Sequence, residues 1–587
     1  MSLLFTFPII ATAAAAAAAA PMSPFLDAID QKCNELKEQA VSATWLSFHL
    51  RRDLSVKVEL ADNNNLFRSE FTFPVARRNR APQTHRRVFS TLAGIVGTNG
   101  LPNVTMLDIK LPEGHNGLNY TRTSEMAPFL QSIADSSTIQ YVELSTGGSL
   151  YEDADVGETV IPRSSSSSSS STEPIDTVRL VTAIAANLAS PQSVLQHVVL
   201  DLIIFDNRLF TTLCNAISSR ECPLVNLKFD HCQVQRLRPL WSALAVNRSV
   251  SNLIFDSLRF QRETLGGIYG TQQLQSMLET NTTMIGLSFL EGDPRFPNSF
   301  FTALGAGLAS NTTLEFLKLP YLYSSEDGNI RSIFEGGLDR NTGLKAISLN
   351  LKDMNSTRDL VSGLDSMAKN IRTKRRRDGS HRVSTLKILC LGFDSDPDNV
   401  DCAKPALDCL VRNSASFALE ELHFRSPLYK IQVSDASLFD KLAAFIQAYP
   451  SLTTFHLGAE MEHNDAHLTV LANTLENNAT MTEFQTGRID EAADLGQQNE
   501  WSPTDHPNWT RILCSVARNK RELPMLLESS KRSLLALVLN ALLKPNESKR
   551  EQIVNLNHAL YLIRNLPDLF SAGGGSDDHY DDDGKTV

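Results

Sequence analysis

The sequence predicts an α/β solenoid: strand–turn–helix units stacked so that parallel strands form one wall and helices the other. Three observations predict it. A block of the form apolar–x–x–apolar–x–apolar recurs twelve times, starting at Val104, Ile139, Leu195, Leu224, Val250, Met284, Leu314, Leu344, Leu386, Leu419, Leu452 and Met481. Nine of the eleven start-to-start steps fall between 26 and 35 residues, a period typical of stacked supersecondary repeats. Between blocks the apolar period changes from 2 to 3.6, as at Phe300, Leu304 and Leu308, at Leu438, Leu442 and Phe445, and at Leu468, Leu471 and Leu475. The same turn also returns: Asn281-Thr282-Thr283 runs into MIGLSF and, thirty residues later, Asn311-Thr312-Thr313 runs into LEFLKL. Each unit has one apolar strand face and one apolar helix face, and neither is buried until a neighbour stacks against it.

Recurrent LxxLxL strands alternating with helices at about thirty residues resemble leucine-rich repeats of the ribonuclease-inhibitor-like type. The resemblance covers roughly Val88 to Gly487, with Phe, Val, Ile and Met often standing in for Leu. It implies a horseshoe with the strands on its concave face, and protein binding along that face.

Taken in order, residues 1–22 are an Ala-rich low-complexity leader. It is apolar and ends in small residues like a secretory signal, but no Lys or Arg precedes the apolar core and Pro8 interrupts it. Residues 23–84 read as an N-terminal cap. Phe25, Ile29, Cys33 and Leu36 predict a helix that could run on to Trp45 and Leu50, and LSVKVEL and LFRSEFTF predict a hairpin around Ala61–Asn65. Residues 85–490 carry the repeats, with insertions at about 147–177, which holds eight consecutive serines, and at 372–383. The second holds Arg372-Thr373-Lys374-Arg375-Arg376-Arg377 and reads as an exposed basic loop; a first basic cluster spans 77–87. Residues 491–571 predict helices closing the far end of the stack, and 572–587 a disordered acidic tail.

Composition narrows the function classes. A hydrophobic content of 42% with 21% charged residues fits a folded soluble chain, and a net charge of −11 argues against nucleic acid as the partner of the whole molecule. Eight cysteines without a CxxC pair fit a reducing compartment. No stable membrane insertion is expected, because the leader is barely long enough and alanine is weakly apolar. The Asn-x-Ser/Thr sequons at Asn281, Asn311 and Asn478 occupy the same helix-to-strand turn, where Asn and Thr belong for side-chain-to-backbone bonding.

In LxxLxL the residue between the last two apolar positions points away from the core. That row reads Asp108, Glu143, Val199, Lys228, Ile254, Ser288, Lys318, Ser348, Cys390, His423, His456 and Gln485. The next outward position gives Asp201, Asp230 and Asp256 in consecutive repeats, a short acidic ladder that either invites a cation or simply accepts bonds at strand ends. Cys390, His423 and His456 also align, but their outer pair would lie about 10 Å apart at the backbone, so no metal site is expected of them. There is no Walker-type loop, GxSxG or HExxH.

The expectation is a non-enzymatic protein-interaction scaffold without a cofactor. It would bind a protein of unspecified identity through Asp201, Lys228, Asp230, Asp256, Lys318, His423 and His456. Two alternatives use the same repeats: a regulator of a GTPase or ubiquitin pathway, and a secreted recognition receptor. The expected compartment is the cytoplasm, or the nucleus if the Arg372–Arg377 run acts in import, or the secretory route if residues 1–20 act as a signal. Oligomeric state is left open.

Overall fold

A computed structural model of the chain describes residues 23–51, 55–62, 68–74, 81–96, 104–112, 123–147, 175–260, 269–290, 296–322, 329–351, 354–378, 383–393, 400–425, 436–458, 465–486 and 507–520. The leader, the serine-rich insertion, the segments after Lys520 and the acidic tail lie outside these residues. The chain forms two compact units, 1–386 and 387–587.

The first unit is α/β around a long, mostly parallel sheet. Its strands are β1 (Trp45–Leu50), β2 (Val56–Ala61), β3 (Arg68–Phe73), β4 (Met106–Pro112), β5 (Tyr141–Gly147), β6 (His197–Asp201), β7 (Asn226–Asp230), β8 (Gln233–Val234), β9 (Asn252–Asp256), β10 (Arg259–Phe260), β11 (Gly286–Phe289), β12 (Phe316–Leu322) and β13 (Ala346–Leu351). The sheet order is β3-β2-β1-β4-β5-β6-β7-β9-β11-β12-β13, and β8 and β10 form a separate two-stranded ladder. From β1 through β4 to β13 the neighbours pair in parallel, while β2 and β3 extend the edge antiparallel. The eight LxxLxL blocks of this unit are the strands β4, β5, β6, β7, β9, β11, β12 and β13, each one residue in from the second position of its block.

The apolar positions of these strands point towards the helices and are buried. An aromatic spine runs through them across adjacent repeats. Phe229 and Phe255 stack at 5.6 Å, and Phe255 and Phe289 at 4.9 Å. Phe296 and Phe300 continue the cluster under the helix Asn298–Ser310. Stacked rings one strand apart follow from the in-register parallel pairing, which brings equivalent side chains of successive repeats together.

A second spine is polar. Asn247, Asn281 and Asn311 stand at the C-terminal ends of their helices, Asn341 stands three residues past the helical turn Ile333–Leu338, and all four are buried. Asn281 Oδ1 accepts from the Thr283 and Met284 amides at 2.9 and 2.7 Å, while its Nδ2 donates to Leu244 O of the preceding repeat at 2.7 Å. Asn311 repeats the pattern with Thr313, Leu314 and Leu278 O, and Asn341 with Gly343, Leu344 and Leu308 O. One side chain thus closes the turn of its own unit and ties it to the unit before. Burial of these amides leaves no room for a glycan at Asn281 or Asn311.

Two expectations are corrected. The N-terminal helix, Ser23–Ala40, does not run on to Trp45 and Leu50. Those residues form β1, whose backbone is shared between β2 and β4 and whose side chains Leu46, Phe48 and Leu50 are buried. An aromatic, alternating stretch satisfies both neighbours better as strand than as helix. The basic run Arg372–Arg377 is not a loop; it is the last part of a 25-residue helix, Met354–Asp378. Ile371 is buried there, Lys374 Nζ donates to Asp339 O at 2.9 Å, and cations suit the carbonyl end of a helix.

Between these elements, the helix Asn298–Ser310 meets a short helix, Asn329–Ser332, that continues as a π-helical turn, Ile333–Leu338. Glycine meets glycine at this approach. A Cβ on Gly305 would lie 2.5 Å from Ser332 O, and one on Gly337 would lie 2.8 Å from Gly305 O.

The second unit carries β14 (Ile388–Phe393), β15 (Glu421–Arg425), β16 (Thr454–Gly458) and β17 (Glu483–Thr486), paired in parallel in that order. Helices Val400–Arg412, Ala436–Ala448, Asp465–Glu476 and Pro507–Lys520 accompany them. The last helix packs on the preceding repeat: Arg511 grips Glu476 through two 2.7 Å bonds, and Asn519 Nδ2 donates to Asn478 O and Met481 O at 3.0 and 2.9 Å. Among the described residues, no helix is long and apolar enough to cross a membrane.

Candidate binding face

The side of the first unit's sheet opposite the helices presents three parallel rows. Register fixes them. The first reads Tyr141, His197, Asn226, Asn252, Gly286, Phe316 and Ala346. The second reads Asp108, Glu143, Val199, Lys228, Ile254, Ser288, Lys318 and Ser348, as the block pattern predicts. The third reads Lys110, Ser145, Asp201, Asp230 and Asp256.

The first row is a hydrogen-bonded ladder that the sequence pattern does not reveal. Tyr141 donates to Glu143 Oε2 at 2.9 Å, Asn226 Nδ2 stands 2.7 Å from His197 Nδ1, and Asn252 Nδ2 donates to Asn226 Oδ1 at 2.7 Å. The ladder ends at Gly286, where a Cβ would lie 2.6 Å from Asn252 Oδ1. Beyond that glycine stands Phe316, 47% exposed, which makes it the row's one exposed large apolar side chain among the described residues.

The structure brings four of the predicted residues together at the ends of β6, β7 and β9. Lys228 Nζ bonds Asp230 Oδ2 at 2.6 Å and reaches Asp256 Oδ2 at 3.3 Å. Asp201 Oδ2 accepts from Ser145 Oγ at 2.7 Å. Partial burial opposes the Lys228 charge, but its bonds to Asp230 and the two carboxylates outweigh it and hold the ammonium above its ordinary range. Asp201 is raised, by burial first, with the Ser145 bond working against it and the Asp230 charge adding to it. The cation that the acidic ladder calls for is in part supplied from within, by Lys228.

His231, which the block pattern misses, completes the group. It follows Asp230 directly, and its Nδ1 lies 2.8 Å from Asp230 Oδ1 and 3.8 Å from Asp201 Oδ1. The 2.8 Å contact lies outside hydrogen-bonding geometry, so the buried Asp230 Oδ1 accepts no hydrogen bond. Leu202, His231 and Ser257, each immediately after one of the aligned Asp residues, have φ of 58°, 46° and 48°. This left-handed step turns the chain out of the strand and into the second ladder, where Ile204 bridges Gln233 and β8 pairs with β10.

Lys318 stands in the same row as Lys228 but three strands away, about 14 Å, and joins none of these contacts. His423 and His456 belong to the second unit. Their Nδ1 atoms are 2.9 Å apart; His423 Nε2 lies 3.1 Å from Glu421 Oε2 and His456 Nε2 3.2 Å from Glu483 Oε1. Cys390 is in register with His423, yet among the described residues these three do not converge as a ligand set.

No protein-family model matches this sequence, and no curated protein matches it.

Proposed function

We propose that this chain is a leucine-rich-repeat protein of the ribonuclease-inhibitor-like type, a non-enzymatic scaffold that binds a protein partner along a concave strand face. The observation that carries the reading is the face itself. Eight parallel strands of the first unit, β4 to β13, are packed on one side by helices. On the other they offer in-register rows of partly exposed Tyr141, Lys228, Ile254, Lys318 and exposed Phe316. Seven strand spacings span about 34 Å, a length suited to a protein surface rather than a metabolite. Aromatic side chains such as Tyr141 and Phe316 on a rigid sheet are the usual anchors of such contacts. The buried, unpaired thiols of Cys214 and Cys232 support a cytoplasmic or nuclear setting.

Cross-linking mass spectrometry on the full chain in its native cells tests this. Partner cross-links concentrated on the strand face, lost with Phe316→Ala plus Lys318→Glu and retained with the helix-side Val246→Asp, support the reading. Loss with Val246→Asp and retention with the strand-face pair would overturn it.

A further inference from the structure

We propose that Asp201, Asp230 and His231 bind a zinc ion at the ends of β6 and β7. Among the described residues this is the one group of three possible metal ligands whose donor atoms all lie within 4.8 Å of one another. The donors are Asp201 Oδ1, Asp230 Oδ1 and His231 Nδ1, with the imidazole 2.8 and 3.8 Å from the two oxygens. A tetrahedral zinc with bonds of about 2.0–2.1 Å spaces its ligand atoms about 3.4 Å apart, and the two distances bracket that value.

The arrangement around the donors points the same way. In each carboxylate the other oxygen is already held: Asp201 Oδ2 by Ser145 Oγ at 2.7 Å, and Asp230 Oδ2 by Lys228 Nζ at 2.6 Å. The two Oδ1 atoms are thereby turned towards the imidazole, the outer-contact pattern by which proteins orient metal ligands. Asp230 Oδ1 is buried and accepts no hydrogen bond although a ring nitrogen stands 2.8 Å away. A buried carboxylate oxygen in that position is costly unless a cation completes it. Charge agrees: among the described residues, Asp201, Asp230 and Asp256 gather three carboxylates near the ammonium of Lys228, and a divalent ion offsets the excess negative charge. An imidazole among the donors selects zinc over magnesium or calcium, which take oxygen. With three protein donors, zinc keeps a fourth position for water or an incoming ligand.

The test uses the full-length chain stripped of metal and titrated with Co2+ as a coloured surrogate, then with Zn2+ to displace it. One equivalent of Co2+ should give visible d–d bands without sulfur charge transfer. His231→Asn keeps a residue that tolerates the left-handed backbone and removes the imidazole. It should weaken binding by at least about 100-fold, the upper end of what losing a ligand's support alone costs. His456→Gln should bind as the parent does. X-ray absorption at the zinc edge on the unaltered chain is independent of any variant and should show a nitrogen-and-oxygen shell with one imidazole. Absence of stoichiometric binding, sulfur in the shell, or equal binding by a folded His231→Asn chain would overturn the proposal.

Discussion

Asn281 shows how much one side chain carries. Its buried side chain accepts from the Thr283 and Met284 amides and the Thr283 hydroxyl of its own turn, and donates to Leu244 O and Asn247 O of the preceding repeat. Asn281→Ala strands two amides and a carbonyl, and each buried unsatisfied group costs about 1–3 kcal/mol. A loss of about 3 kcal/mol in denaturant unfolding is expected. Asp201→Asn should act in the opposite direction. It keeps an acceptor for Ser145 and removes a charge that burial and Asp230 both penalise, so the metal-free protein should melt at a higher temperature while losing cobalt binding. His49 sets a pH dependence. Ser47 Oγ donates to Asp108 Oδ2 at 2.8 Å, so His49 Nε2 donates to Ser47 Oγ across 2.7 Å. Burial, then the Lys110 ammonium, hold this imidazole below its ordinary range against Asp108 and Glu59. The unfolded chain therefore takes up the proton first as pH falls through about 6.5. Stability is fully present above that pH and is lost as pH drops towards the folded-state value. Melting temperatures recorded from pH 7.5 to 5 should fall, and His49→Gln should flatten the slope.

At the scale of elements, the close approach of Gly305 and Gly337 decides how the helix Asn298–Ser310 packs on the π-helical turn. Gly305→Ala puts a methyl 2.5 Å from a backbone oxygen that no rotamer change relieves. Overpacking of this kind costs about 1–3 kcal/mol, and it should outweigh the gain in helix propensity, which calorimetry would register as a lower melting temperature. The strands were legible because period-2 alternation and in-register stacking are both written in the LxxLxL positions. The basic end of the helix Met354–Asp378 was not, since a run of charges without apolar spacing reads as loop; Ile371 and the bond from Lys374 to Asp339 are what hold it helical. Trp45–Leu50 was ambiguous for a different reason: Leu46, Phe48 and Leu50 alternate, but six residues directly after a helical stretch are too few to settle the period, and the neighbouring β2 and β4 make them a strand. The acidic ladder could be read from alignment, but His231 could not, because its role depends on a backbone turn that no glycine announces.

For the molecule as a whole, repeats that contact only their neighbours share stability along the stack. Native-state hydrogen exchange should therefore find the slowest amides in the middle of the first unit, in β7, β9 and β11, whose rings Phe229, Phe255 and Phe289 stack continuously. Protection should decline towards the edge strand β3; uniform protection from β3 to β9 would speak against nearest-neighbour stacking. The left-handed steps at Leu202, His231 and Ser257 carry a different implication. Each holds a side chain where the backbone alone would favour none, at roughly 1–2 kcal/mol apiece. A laboratory lineage bred only for heat tolerance should drift to glycine at all three. One bred under zinc limitation to keep its ion should surrender 202 and 257 and retain the imidazole at 231.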